Sequence, residues 1–213
     1  MKQWASSALI GYYNPSVILT YIGLASSVWG IFLAVEGFIL PALLCLLVSG
    51  VCDMFDGRIA RRIPRSDDEK SFGIQIDSLC DLICFGVFPA VIAWSLGVRG
   101  FLGAVILALY ILTAVIRLGY FNVSEAKRQS ETAEPRHFYQ GLPVTSAAVL
   151  LPLIYLAFSR TPTLLTPAFY AAMALISLCF VANIRIPKLS GRVVYAMLVC
   201  TAAIACLLLG FGG

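Results

Sequence analysis

The chain has 213 residues, of which 60% are hydrophobic and only 12% are charged, and its mean hydropathy is +0.91. This composition excludes a water-soluble globular protein. It predicts an all-α, polytopic integral membrane helix bundle, because helices satisfy their own backbone hydrogen bonds in lipid. The formal net charge of +4 suits an anionic membrane surface, and nothing in the sequence supports a nucleic-acid partner.

Residues 1–13 form a short N-terminal segment, too brief and too polar to span a bilayer, which is predicted to lie on its surface. About 20 helical residues, at a rise of ~1.5 Å each, cross the hydrocarbon core. Seven spans are predicted within a single membrane domain of residues 1–213: 16–35, 37–55, 74–96, 100–122, 142–159, 165–183 and 192–210. Pro143 and Pro152 indicate a bent fifth helix. The polar connector 62–72 is expected to leave the helical conformation at Pro64.

The basic residues favour one orientation of these spans. With the N-terminus in the cytoplasm, the loops 56–73, 123–141 and 184–191 are cytoplasmic. Every basic residue except Arg99 and Arg160 then lies on or near that side. This positive-inside bias supports an odd number of spans.

Four aspartates lie within residues 53–81, at the cytoplasmic ends of the second and third spans, where carboxylates are costly unless they serve a function. Positions i, i+3, i+4 and i+7 share one helical face, and on the second helix they are Asp53, Asp56, Gly57 and Ala60. On the next helix a spacing of four aligns Gly73, Asp77 and Asp81. The short connector lets these faces meet, and four carboxylates in one cleft suit Mg²⁺ or Mn²⁺, with a pair of ions predicted.

Divalent ions held by carboxylates can neutralise a diphosphate, and a remaining carboxylate can accept the proton of an attacking hydroxyl. Asp81, the last of the four, is the candidate base, and Arg61, one turn beyond Gly57, could pair with a phosphate. A lipid-linked diphosphate would place its head in the cytoplasmic cleft and its tails in the bilayer. Two other interpretations stay open: a polar contact between aspartates and arginines of neighbouring helices, or the path of a proton or cation transporter.

This spacing resembles the signature of the CDP-alcohol phosphotransferase family, D-x-x-D-G-x-x-A-R, a gap, then G-x-x-x-D-x-x-x-D. All eight positions are present, as Asp53, Asp56, Gly57, Ala60, Arg61, Gly73, Asp77 and Asp81. The gap of eleven residues is longer than the family's usual one. The resemblance implies a six-helix membrane core, a homodimer, and transfer of a phosphatidyl-type group from a CDP-linked donor to an alcohol with release of CMP.

The resemblance also assigns roles to individual residues. It implies that two divalent ions are bound by Asp53, Asp56 and Asp77, and that Asp81 reaches the ions and acts as the general base. The CDP moiety would be bordered by Gly57, Ala60, Arg61 and Gly73. Thr20, in N-P-S-V-I-L-T, resembles a threonine of the first helix that approaches the nucleotide. Ser71 of the connector is a further candidate contact to the CDP-lipid.

The stretch F-G-I-Q-I-D-S-L-C-D-L-I-C-F-G-V-F-P-A, residues 72–90, resembles the branch of the family that uses serine as acceptor. R-L-G-Y-F-N at 117–122, F-Y-Q-G-L-P at 138–143 and N-I-R-I-P-K at 183–188 point the same way. The resemblance therefore implies CDP-diacylglycerol and L-serine as substrates, with inositol phosphate or glycerol phosphate as alternative acceptors. Arg117 and Arg136 are candidates for binding the serine carboxylate, and each is equally explained as a basic residue at the membrane surface.

Overall fold

The computed structural model describes residues 10–60, 62–131 and 138–187, together with positions 203, 204, 206 and 210. The first helices are α1 (Pro15–Val35), α2 (Ile39–Ala60) and α3 (Asp67–Asp81). A π-helical turn, Leu82–Val87, joins α3 to α4 (Phe88–Ser95), so that one helical segment runs over Asp67–Ser95. The remaining helices are α5 (Gly100–Glu131), α6 (Ala147–Phe158), preceded by a 3₁₀ turn at Val144–Ser146, and α7 (Pro162–Val181).

The prediction of an all-helical membrane protein is confirmed. Within the described residues, five helical segments are long and apolar enough to cross a membrane: α1, α2, the segment 67–95, α5 and α7. A shorter apolar segment, Val144–Phe158, matches the predicted fifth span. The predicted seventh span, 192–210, lies outside the described residues apart from the four positions named above, and so does most of the N-terminal segment 1–13.

Large apolar side chains cover the outer faces of these helices. Trp29, Phe32, Leu102 and Leu178 are each more than half exposed. Helices that carry apolar residues on their outer faces as well as in the core are typical of membrane spans, where the outer residues contact lipid.

The connector between α2 and α3 is shorter than predicted. Residues 67–72 belong to the predicted connector but are helical, because Ser66 and Glu69 form a capping box at the start of α3. The Glu69 N–H donates to Ser66 Oγ at 3.2 Å, and the Ser66 N–H donates to Glu69 Oε2 at 2.8 Å. These two bonds satisfy donors that a helix start otherwise leaves without acceptors. Pro64 therefore lies in a short link between Ala60 and Asp67.

Small residues allow α1 and α2 to pack closely. A Cβ at Gly23 would lie 3.1 Å from Cβ of Cys52. Ser49 Oγ of α2 donates to the Gly23 carbonyl at 2.8 Å and lies 2.7 Å from Ser27 Oγ. Such small and hydroxylated residues are typical of helix contacts in membranes. They align the first turns of α1 with the last turns of α2.

A buried tyrosine completes the hydrogen bonding of the helix that carries Asp77 and Asp81. Pro89 has no N–H to donate to the Phe85 carbonyl four residues earlier. Tyr110 Oη of α5 donates to that carbonyl instead, at 2.8 Å, and its side chain is fully buried. The π-helical turn around Phe85 begins directly after Asp81.

The bundle also contains one small sheet that the sequence did not predict. Strand β1 (Phe138–Gln140) pairs antiparallel with β2 (Arg185–Pro187). The Gly141 N–H then donates to the Ile184 carbonyl at 2.8 Å. Gly141 has φ +76°, a conformation that side-chain-bearing residues rarely adopt. The sheet fixes the segment that follows α5 against the end of α7.

Candidate active site

Three carboxylates converge where the end of α2 meets α3. Asp53 and Asp56 of α2 and Asp77 of α3 each present an oxygen, and these three oxygens lie within 4.8 Å of one another. Three negative oxygens at such short range repel unless cations lie among them. Carboxylate oxygens are the ligands that Mg²⁺ and Mn²⁺ prefer, so this donor set fits a divalent cation.

Asp81 lies one turn beyond Asp77 on α3, outside that group of three. Its carboxyl neighbours the carboxyl of Asp53. The structure thus brings the four predicted aspartates together but separates them into three clustered oxygens and one flanking carboxyl.

Thr20 connects α1 to this cluster. Its Oγ1 donates to Asp56 Oδ2 at 2.7 Å, and Asp56 is 6% exposed. A hydroxyl that donates to a carboxylate fixes the direction of its oxygens. The first helix therefore takes part in the site by orienting one of its carboxylates, while the predicted contact of Thr20 with a nucleotide stays a prediction.

A cleft of about 190 Å³ opens beside the carboxylates. Of the predicted site residues, its lining includes Thr20, Asp56, Gly57, Ala60, Gly73 and Asp77. A Cβ at Gly57 would meet no atom within 4 Å, so the missing side chain leaves space open next to Asp56. The cleft can thus admit a group that approaches the backbone of α2 and the carboxylates together.

Arg65 also lines the cleft, and the sequence analysis missed it. Its Nη1 would lie 3.3 Å from a Cβ at Gly73, so the glycine makes room for the guanidinium. Its Nε is buried and has no hydrogen-bond partner among the residues that the structure describes. The arginines of the eleven-residue connector are candidates for the site by their charge alone. An irregular segment has no periodicity, so the sequence does not predict which of these side chains faces the cleft.

With this geometry in place, known proteins can be compared. The sequence model of the family described as CDP-alcohol phosphatidyltransferase matches residues 13–182, which include every helix from α1 to α7 and all four aspartates. The chain belongs to the CDP-alcohol phosphatidyltransferase family. The resemblance drawn from the eight signature residues is confirmed.

Several relatives in this family have names that refer to serine. CDP-diacylglycerol–serine O-phosphatidyltransferase of Helicobacter pylori is 33% identical over 184 residues, which cover 82% of this chain and 74% of the relative. Archaetidylserine synthase of Methanothermobacter thermautotrophicus is 30% identical over 175 residues, covering 82% and 70%. The Saccharomyces cerevisiae CDP-diacylglycerol–serine O-phosphatidyltransferase is 38% identical over 113 residues, covering 51% and 40%.

The predicted donor site includes two further residues, Arg61 and Ser71. The signature residue Arg61 lies outside the described residues. Ser71 is exposed on α3 rather than in the connector, and it is absent from the described lining of the cleft. A contact between Ser71 and the CDP-lipid stays a prediction.

Arg117, one of the two predicted acceptor contacts, is buried on α5. Its Nε donates to the Leu142 carbonyl at 3.2 Å, and its guanidinium carbon lies 5.7 Å from the centre of the Phe121 ring. The bond to Leu142 joins α5 to the segment that follows β1. Binding of a carboxylate by Arg117 stays a prediction, and Arg136 lies outside the described residues.

The stretch 117–122 also contacts α3. Ser78, directly after Asp77, donates its hydroxyl to Asn122 Oδ1 at 2.9 Å. Residues that resemble the serine-using branch at 72–90 and at 117–122 are therefore neighbours in the folded protein, beside the last two aspartates of the signature.

Proposed function

We propose that this family member is a phosphatidylserine synthase, which transfers the phosphatidyl group of CDP-diacylglycerol to the hydroxyl of L-serine and releases CMP. The observation that carries the proposal is the cluster of Asp53, Asp56 and Asp77 beside a cleft whose lining includes Asp56 and Asp77. The choice of serine is supported by the names of the relatives and by the contact between the stretches 72–90 and 117–122.

Asp53, Asp56 and Asp77 offer the ligands for divalent cations, and two Mg²⁺ or Mn²⁺ ions are the proposed complement. When bound, such ions offset the charge of a diphosphate and stabilise the charge that develops on its leaving oxygen. Thr20 keeps the Asp56 carboxylate directed through its hydroxyl. Gly57 leaves the space into which the donor head group fits.

Asp81 is the proposed general base. Its carboxyl flanks the three clustered oxygens, so it lies near the place where the hydroxyl must attack. In the proposed reaction the serine oxygen forms a bond to the phosphorus of the phosphatidyl group, and the bond from that phosphorus to CMP breaks. The hydroxyl proton passes to Asp81.

The proposed active site faces the cytoplasm, with the acyl chains of the donor in the bilayer. The exposed apolar faces of the helices support membrane insertion, and the basic loops at the end of the bundle where the cleft lies support this orientation. A homodimer is proposed from the family resemblance.

The activity is tested with purified full-length protein in detergent, with CDP-diacylglycerol and Mn²⁺. Release of CMP is compared among L-serine, inositol, inositol phosphate, glycerol phosphate and no acceptor. We expect CMP only with serine, and none after chelation of the metal. Release with a different alcohol would overturn the choice of serine. Folded protein that releases no CMP with any acceptor would favour the transporter interpretation, which is tested as ion flux in sealed vesicles.

The role of the carboxylates is tested by substituting Asp77 with Asn. Removing a residue that only hydrogen-bonds to a metal ligand typically lowers activity by about 10–100-fold. Removing the ligand itself should therefore lower activity by more than about 100-fold. The control is Asp67→Asn on the same helix, where an exposed carboxylate pairs with Lys70 at 2.9 Å. Near-normal CMP release by folded Asp77→Asn protein would show that the metal assignment is wrong.

A further inference from the structure

We propose that Arg65, in the link between α2 and α3, binds a phosphate oxygen of the CDP-linked donor. The inference rests on the proposed function and deepens it, because Arg65 lies outside the eight signature residues. It belongs to the gap that is longer here than is usual in the family.

The start of α3 fixes where Arg65 lies. Ser66, the next residue, is held by the capping box with Glu69, so the backbone beside Arg65 has a defined position. The side chain extends from there along α3 to Gly73, where its Nη1 would come within 3.3 Å of an added Cβ. Gly73 shares its helical face with Asp77, so the guanidinium reaches the face that carries the carboxylates.

The Nε of Arg65 is a buried donor without an acceptor. Within the described residues it has no hydrogen-bond partner, although Asp56 and Asp77 line the same cleft. Most buried N–H groups in folded proteins have a partner, and an exception calls for an explanation such as a ligand that supplies the acceptor. The Asp56 carboxylate accepts from Thr20 instead, and the oxygens of Asp53, Asp56 and Asp77 lie within 4.8 Å of one another.

The chemistry of the cleft favours a phosphate as that acceptor. A guanidinium stays charged and presents donors in a planar arrangement that matches phosphate oxygens. Carboxylates for cations on one side and a guanidinium on the other suit a diphosphate, whose charge exceeds what the cations alone offset. The open space at Gly57 lies in the same cleft, so the phosphate has room between the two.

The carboxylate of serine is the other oxyanion that the Arg65 guanidinium could bind. Kinetic measurements with each substrate distinguish binding of the donor phosphate from binding of the serine carboxylate. We would compare wild type with Arg65→Gln and Arg65→Lys, and use Arg62→Gln, which alters an exposed arginine of the same link, as the matched control. The Michaelis constants for CDP-diacylglycerol and for L-serine are measured separately. Calorimetry with CDP and Mn²⁺ gives a second readout that does not require turnover.

We expect Arg65→Gln to raise both the KM for CDP-diacylglycerol and the Kd for CDP by about 10- to 100-fold, as for loss of one charge-assisted hydrogen bond. The KM for serine should stay within about twofold, Arg65→Lys should be intermediate, and Arg62→Gln should match wild type. Should Arg65→Gln fail to fold, Arg65→Lys carries the comparison.

Equal donor affinities in the Arg65 and Arg62 variants would overturn the proposal, and so would a rise confined to the KM for serine. Weaker CDP binding in Arg65→Gln, together with no CMP release by wild type, would leave this assignment in place and reject the proposed reaction. Wild-type protein that neither binds CDP nor releases CMP would reject both.

Discussion

Gly57 lies in the last turn of α2, directly after Asp56, where a Cβ would meet no atom within 4 Å. Glycine within a helix is less favourable than alanine by roughly 0.5–1 kcal/mol. At this position no neighbouring element among the described residues requires the small residue. The approach of a ligand to the backbone explains why glycine fits here, because a methyl group would project into the cleft.

Gly57→Ala should therefore separate stability from activity. We expect the free energy of unfolding to rise by roughly 0.5–1 kcal/mol from the gain in helix propensity, while the KM for CDP-diacylglycerol rises about 10-fold. Gly119→Ala on α5 is the control for helix stability, since a Cβ there also meets no described atom within 4 Å and Gly119 is not among the residues that line the cleft. Thermal unfolding and CMP release measure both effects, and unchanged donor affinity in Gly57→Ala would show that the space is not used.

The aspartates of the site were predictable because spacing along a helix fixes which residues share a face. The hydrogen bond from Thr20 to Asp56 was not, since it depends on how α1 and α2 align along their contact. Arg65 was not predictable either, because it precedes the helix and follows Pro64. The S-x-x-E sequence at Ser66 marks the start of α3, but the charged residues that follow it are equally typical of a polar loop.

At the scale of whole elements, apolar stretches of about 20 residues were sufficient to locate the first six predicted spans, because lipid permits few alternatives to a helix. The π-helical turn Leu82–Val87 is a change in hydrogen-bond pattern within one such stretch, and hydropathy carries no signal for it. The pairing of β1 with β2 joins two three-residue segments far apart in the sequence. Such short strands pair only where α5 and α7 already bring them together.

The junction between the π-helical turn and α4 depends on the Tyr110 hydroxyl. Tyr110→Phe keeps the ring, which packs 5.3 Å from the ring of Phe180, and removes only the donor to the Phe85 carbonyl. We expect a loss of about 1 kcal/mol in unfolding free energy, because the buried carbonyl then has no replacement for the missing N–H of Pro89.

The matched control for this prediction is Tyr170→Phe. Its hydroxyl donates to the Arg99 carbonyl at 2.6 Å in an exposed setting, where water can take its place. Thermal unfolding in detergent should show a clear decrease for Tyr110→Phe and little change for Tyr170→Phe. Equal shifts in both variants would mean that burial of the Phe85 carbonyl does not matter to stability.

For the molecule as a whole, the orientation in the membrane can be tested with two exposed positions at opposite ends of the bundle. Arg62→Cys lies in the link beside the cleft, and Arg160→Cys lies between α6 and α7. An impermeant maleimide applied to sealed vesicles should label Arg62→Cys only from the cytoplasmic side and Arg160→Cys only from the other, above the wild-type background. The reverse pattern would overturn the proposed cytoplasmic active site.

The apolar side chains that cover the outer faces of the helices confine the protein to the plane of the bilayer. For the proposed reaction, the lipid donor then arrives by diffusion in two dimensions, at a rate set by its density per area of membrane. Serine arrives in three dimensions, at a rate set by its concentration in water. Inert phospholipid, added while the amount of donor is fixed, dilutes the donor within the membrane. It would therefore slow the encounter with the donor and leave the encounter with serine unchanged. A cell that enriches its membrane in donor and a cell that enlarges its serine pool would therefore adjust the same enzyme through independent variables.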